Sequence, residues 1–315
     1  MNLQNIFSEI ENVDPEVYDR MDTRRSAMKQ FANLSGKAAL AAMPLALGSM
    51  FKKAYGQTPT DVLDVLQFAL LLEQLEARFY IVGLSATSTA ITGAGNATPA
   101  GIAAFTKIRD HEIAHREYLK TVIVSLGATP GVEPAFDFTA GNTTVSPNIG
   151  NGPFKGFDTN YDIFLAVSQT LEDTGVRAYK GQAGRLINNK PILTAALNIH
   201  SVEARHASHV RQLRRSRFQS NAPNLFLPAY TGNIKPWVEQ AQSNISGNNP
   251  VPGAGGASFG AAVQPNYNGE ELANQLTINI QGLSGGFDIN AATASFDEPL
   301  TKLQVQGLVK PFILP

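Results

Sequence analysis

Four short segments of this 315-residue chain carry metal-capable side chains at a spacing that helices turn to one point. Glu73 stands alone in LLLEQLEARFY, and Glu112 and His115 share RDHEIAHREY. Glu172 stands alone in SQTLEDTGVRAY, and Glu203 and His206 share HSVEARHASH. Residues three apart lie on one face of a helix, so each Glu-x-x-His aims a carboxylate and an imidazole in the same direction. A lone Glu, a Glu-x-x-His and then the same pair again supply four carboxylates and two imidazoles, enough to hold two metal ions between four helices. One such motif alone is weak evidence, because exposed Glu and His are common. Its repetition in this order is the constraint that any fold must satisfy.

A second regularity supports the first. Tyr80 follows Glu73 by seven residues and Tyr179 follows Glu172 by seven, two helical turns in each case, which places both phenols on the metal-facing side. All five histidines (111, 115, 200, 206 and 209) fall in or beside the Glu-x-x-His segments. Among their neighbours, His111 is a candidate hydrogen-bond partner for a ligand and His209 a candidate ligand or supporting partner, while His200 reads as structural. Glu76 and Asp173 read as supporting or surface groups, and Trp237 as core or cover. The absence of cysteine excludes zinc ribbons, iron–sulfur clusters, thiol catalysis and disulfides. A net charge of -1 gives no electrostatic case for nucleic acid.

Apolar periodicity predicts a helix from Thr60 to about Ser85 and another opening on Thr98-Pro99 and ending before Gly127. A third runs from near Thr159 to Ile187, and a fourth has Pro191 at its start and continues to about Phe218. Between the second and third, residues 128–157 are rich in Gly, Pro, Thr and Phe and form a long connection with a short strand around AFDF. The expected architecture is all-α: two antiparallel helical hairpins joined by one long crossover over residues 57–220. An irregular C-terminal extension, 221–315, contains a flexible stretch at 241–261, a short helix or strand in GEELANQLTINI and a final helix from Pro299 to Val309. It is expected to wrap the bundle or to join copies of the chain, which leaves a homo-oligomer open.

Residues 1–56 read as an export signal. TRRSAMK at 23–29 is similar to the twin-arginine motif, with Ala27 in place of the usual aromatic, and AALAAMPLAL follows at 38–47. That apolar run is about ten residues, too short for a transmembrane span of ~20. An amphipathic first helix is the rival reading, although Pro44 would interrupt it. The expected location is the periplasm or cell envelope.

The motifs quoted above resemble the ferritin-like superfamily, including rubrerythrin-type proteins, and the connectivity matches a ferritin-like four-helix bundle. FALLLEQLEARFY and the closing FDEPLTKLQVQGLVKPFI resemble an exported bacterial ferritin-like domain family that is similar to plant desiccation-related proteins. The resemblance implies Glu73, Glu112, His115, Glu172, Glu203 and His206 as ligands of two iron or manganese ions. Tyr80 and Tyr179 would tune their potential or donate an electron. It further implies an oxidoreductase acting on oxygen or peroxide, of manganese catalase, peroxidase or ferroxidase type. The alternative is a non-enzymatic, metal-binding protein of stress or desiccation protection; an interaction module built on the tail and crossover ranks last.

Overall fold

The computed structural model describes residues 59–93, 96–142, 148–219 and 288–315, with 272, 274, 275, 278–282 and 286 between them. The export-signal segment 1–56, Trp237 and the 241–261 stretch lie outside the described residues. Four long helices carry the fold: α1 (Pro59–Gly83), α2 (Pro99–Ser125), α3 (Tyr161–Ala183) and α4 (Lys190–Gln219). They pair as two hairpins, α1 with α2 and α3 with α4, and the hairpins meet chiefly along α1 and α3. The architecture is all-α, as the sequence predicts. Among the described residues, no helix is long and apolar enough to cross a membrane.

Local chemistry sets most of the boundaries. Thr98 caps α2 by accepting from the Gly101 amide at 3.1 Å, Pro99 occupies the first turn, and Gly127 leaves the helix with φ +81°. The third helix begins two residues later than its sequence pattern suggests. The Thr159 hydroxyl donates back into the preceding turn, to the Gly156 carbonyl, so the Asn160 side chain takes over as cap and accepts from the amides of Asp162 and Ile163. At the other end α3 tightens into a 3-10 turn, Gly184–Leu186, before Asn189 and the start of α4.

The crossover and the C-terminus stabilise each other. Phe136 pairs with Ile313 in an isolated antiparallel bridge, the Asp137 amide donates to the Phe312 carbonyl at 2.8 Å, and Leu314 donates to Ala135 at 2.9 Å. The strand expected at AFDF is therefore one bridge, and its partner is the end of the chain. The Asp137 carboxylate folds the crossover around itself, accepting from the Thr139 amide and hydroxyl and from the amides of Gly141 and Gly150. In the extension, Asn274–Gln275 (β1) pairs with Ile278–Asn279 (β2), and a short helix α5 (Ile289–Thr293) follows. The last helix, α6 (Lys302–Val309), starts three residues after the expected Pro299 because Thr301 and Gln304 form a capping box there.

Helix α3 is buried on every face from Tyr161 to Tyr179. One face meets an aromatic cluster in which Phe164 stacks on Phe79 at 4.7 Å and meets Phe105 edge-on at 5.3 Å. Its polar face is covered by α4 and by the tail. Arg211 of α4 bridges Asp173 and Asp297 at 2.7 and 2.6 Å. Arg177, fully buried, donates to the Glu298 carbonyl at 2.8 Å, and the Leu300 amide donates to the Arg177 carbonyl at 3.1 Å. Gly181 lets the tail come this close: a Cβ there would stand 1.9 Å from the Leu300 carbonyl oxygen. Gly181→Ala should therefore free residues 297–300 from α3 while leaving the four long helices formed. Hydrogen exchange should show the Leu300 amide losing protection with the α1 amides unchanged; retained protection at Leu300 would contradict this packing.

Candidate metal centre

Each of the four long helices brings its signature to mid-bundle. The side chains of Glu73 (α1), Glu112 and His115 (α2) and Glu203 (α4) form one group whose nearest ligand atoms all lie within 4.8 Å of one another. Glu112, Glu172 (α3), Glu203 and His206 (α4) form a second group by the same measure. Glu112 and Glu203 belong to both. All six residues singled out by the sequence thus meet at one place, with Glu73 and His115 at one end and Glu172 and His206 at the other.

The two shared carboxylates divide their oxygens between the ends. Glu112 turns Oε2 toward His115 Nδ1 at 3.4 Å and Oε1 toward His206 Nδ1 at 2.7 Å. Glu203 turns Oε1 toward His115 Nδ1 at 3.2 Å and Oε2 toward His206 Nδ1 at 3.9 Å. The terminal carboxylates approach only their own histidine, Glu73 Oε2 at 3.2 Å from His115 Nδ1 and Glu172 Oε2 at 3.4 Å from His206 Nδ1. The result is an approximate two-fold arrangement, one imidazole and one carboxylate per end with two carboxylates spanning between.

These atoms are close but poorly paired. Glu73 Oε2, Glu172 Oε2 and both oxygens of Glu203 are buried without a hydrogen bond, and Glu112 Oε1 and His206 Nδ1, although 2.7 Å apart, are not aligned for one. Buried polar atoms ordinarily find partners, and an unpaired carboxylate in a dry site is costly. Lone pairs converging from several directions onto two small volumes are what a cation would satisfy. The hard oxygen donors with one nitrogen per end suit iron or manganese better than softer metals.

The electrostatics carry the same signature. Burial pushes the Glu73 carboxyl up to about 7, and it pushes Glu203 well above the ordinary range, aided by the charges of Glu112 and Glu73. Burial acts on Glu112 too, but the adjacent His115 and His206 outweigh it and hold that carboxyl at about 2. Burial disfavours a charged His206, yet the carboxylates of Glu172 and Glu112 push it up to about 11, and His115 is raised still further by Glu112, Glu203 and Glu73. Among the described residues of the cluster, the imidazoles of His115 and His206 are the cationic partners of its carboxylates.

Both tyrosines reach across the hairpins. Tyr80 on α1 donates to Glu172 Oε1 on α3 at 2.5 Å, and Tyr179 on α3 donates to Glu73 Oε1 on α1 at 2.5 Å. Each phenol occupies the outer oxygen of the opposite terminal carboxylate, leaving the inner oxygen aimed at the histidine. Burial and the neighbouring carboxylate raise both phenols well above their ordinary range, so they stay protonated as donors. His111 plays a comparable part for His206, its Nδ1 lying 3.0 Å from His206 Nε2, which orients that ring with Nδ1 inward.

Of the two acidic neighbours read as supporting or surface groups, Glu76 takes the supporting place at the centre. Glu76 is buried beside the cluster, and burial together with the charges of Glu203, Glu112, Glu73 and Glu172 pushes its carboxyl well above the ordinary range. Its space comes from α3, where a Cβ on Gly175 would lie 3.0 Å from Glu76 Oε1. The available signal is a broken symmetry: Glu73 is followed three residues later by Glu76, and Glu172 at the same offset by Gly175. Asp173 is buried as well, but it serves Arg211 rather than the centre. His209 packs against Phe105 and stays outside both ligand groups, and His200 is half-buried away from them.

Residues 61–216 match the family described as Ferritin-like domain. No curated protein matches the sequence at a significant level. The matched segment takes in most or all of each of the four long helices and every residue of the carboxylate–histidine cluster, and the helical pairing agrees with it. The four-helix bundle of this chain belongs to the ferritin-like superfamily.

Proposed function

We propose that the bundle holds two first-row metal ions, iron or manganese, and acts as an oxidoreductase on oxygen or peroxide. The observation that carries this reading is the division of Glu112 and Glu203 between His115 and His206. One ion would be held by Glu73 and His115, the other by Glu172 and His206, and Glu112 and Glu203 would span both. Bound there, two divalent ions would supply one electron each, which is what one hydrogen peroxide needs to become two waters, or one dioxygen to become hydrogen peroxide, with two protons taken up in either case.

The chain's own groups do the rest. Glu73, Glu112, Glu172 and Glu203 are wholly buried away from bulk water, and their carboxylates would balance the charge of the ions. Tyr80 and Tyr179 hold the terminal carboxylates in place by donating to Glu172 Oε1 and Glu73 Oε1. His115, which keeps 12% of its side chain exposed, marks the side on which water and protons reach the centre.

In protein loaded anaerobically with ferrous iron, oxygen or peroxide should oxidise the iron faster than it oxidises free ferrous ion. Paired Glu112→Ala and Glu203→Ala changes should abolish this rate while keeping the helical circular dichroism. A variant that keeps both metal and rate would contradict the assignment. Metal bound without any turnover would instead assign the chain as a metal-binding protein of the stress-protective kind.

We also propose export by the twin-arginine route, on the strength of Arg24 and Arg25 in TRRSAMK. Changing both to Lys should leave uncleaved precursor in the cytoplasm; unchanged export would overturn this.

A further inference from the structure

Between α1, the crossover and the loop that leads into α3 lies a cleft of about 970 Å³, the size of an ordinary small-molecule site. It shares no residue with the carboxylate–histidine cluster. Its apolar part is aromatic. Phe136 and Phe157 are half-buried, and the buried Phe138 braces both, with ring centroids 5.9 Å from Phe136 and 5.6 Å from Phe157. Phe79 of α1 supports Phe138 edge-on at 5.4 Å, so the rings are held by the core. The Asp158 carbonyl accepts from the amides of Thr89 and Ala90, both at 2.9 Å, and from the Ser88 hydroxyl at 2.8 Å, which fixes the loop that carries Phe157.

The charged residues of the cleft nearly cancel, Arg78 and Lys155 against Glu133, Asp137 and Asp158. Two of the acids are spent: Glu133 is paired with Arg78 at 2.6 Å, and Asp137 accepts from the amides of its own loop. Lys155 is exposed and gives one hydrogen bond, to Asn151 at 2.6 Å, which leaves its ammonium further donors. Among the described residues the Asp158 carboxylate has no hydrogen-bond or ion-pair partner. A strongly charged ligand of either sign would meet like charge in this mixed lining. An uncharged sugar fits both parts of it. One face of a sugar ring presents C–H groups that pack on an aromatic ring, and the hydroxyls at its edge donate to a carboxylate and accept from an ammonium. We propose that the cleft binds an uncharged oligosaccharide, with the C–H face of a sugar ring on Phe136 and Phe157, one hydroxyl donating to Asp158 and another accepting from Lys155. The site acts independently of the metal centre.

Titration of the full chain with maltotriose, cellotriose and triacetylchitotriose, followed by saturation-transfer NMR and calorimetry, tests this. At least one should bind with a Kd of about 1 mM or tighter, equally well before and after treatment with a chelator. Phe157→Ala should weaken that binding by about tenfold or more. Asp158→Ala keeps the backbone carbonyl that fixes the loop and should also weaken it by about tenfold, which preserves the test if the aromatic variant folds poorly. Neither the helical circular dichroism nor the metal content of the Asp158 variant should change. Failure of all three sugars to bind at about 10 mM would overturn the proposal, as would full affinity in both variants. Binding that disappeared with the metal would contradict a separate site.

Discussion

Five carboxylates crowded into one dry space generate the repulsion around which the rest of this molecule is organised. Two unit charges 4 Å apart repel by about 4 kcal/mol even at an effective dielectric of about 20. Several such pairs among Glu73, Glu76, Glu112, Glu172 and Glu203 would rival a whole domain's stability of about 5–15 kcal/mol. The chain must therefore take up protons there or take up cations. The raised carboxyls of Glu73, Glu76 and Glu203 and the raised imidazoles of His115 and His206 describe the protonated solution. Two divalent ions describe the other, and the buried oxygens without hydrogen bonds favour it.

Holding such a cluster together requires rigid surroundings. The aromatic packing of Phe79, Phe105 and Phe164 fixes α1, α2 and α3 on one side of the centre. On the far face of α3 the tail supplies backbone carbonyls and Asp297 to Arg177, Lys180 and Arg211. The C-terminal extension is thus part of the bundle's wall in its last residues, and its own end is pinned to the crossover at Phe136. Tyr80 and Tyr179 carry that rigidity inward, since each ties a carboxylate of one hairpin to a helix of the other.

The parts of this arrangement that depend on local spacing were legible in the sequence. Helical geometry alone joins Glu112 to His115 and Glu203 to His206, and two turns alone bring Tyr80 and Tyr179 to the same face as Glu73 and Glu172. What depends on a distant partner was not. The sequence leaves Glu76 between a supporting and a surface role until Gly175 is seen opposite it, and no local pattern announces that the tail covers Arg177. The bridge at AFDF needed the end of the chain as its second strand, a pairing that no local pattern announces.

The central claim is that this cluster binds two metal ions, and the direct measurement is metal content per chain with the ions located by anomalous diffraction. The account predicts about two iron or manganese ions per chain, one between Glu73 and His115 and one between Glu172 and His206, both spanned by Glu112 and Glu203. Metal content below about a tenth of an ion per chain, with no uptake by the apoprotein on reconstitution, would contradict it.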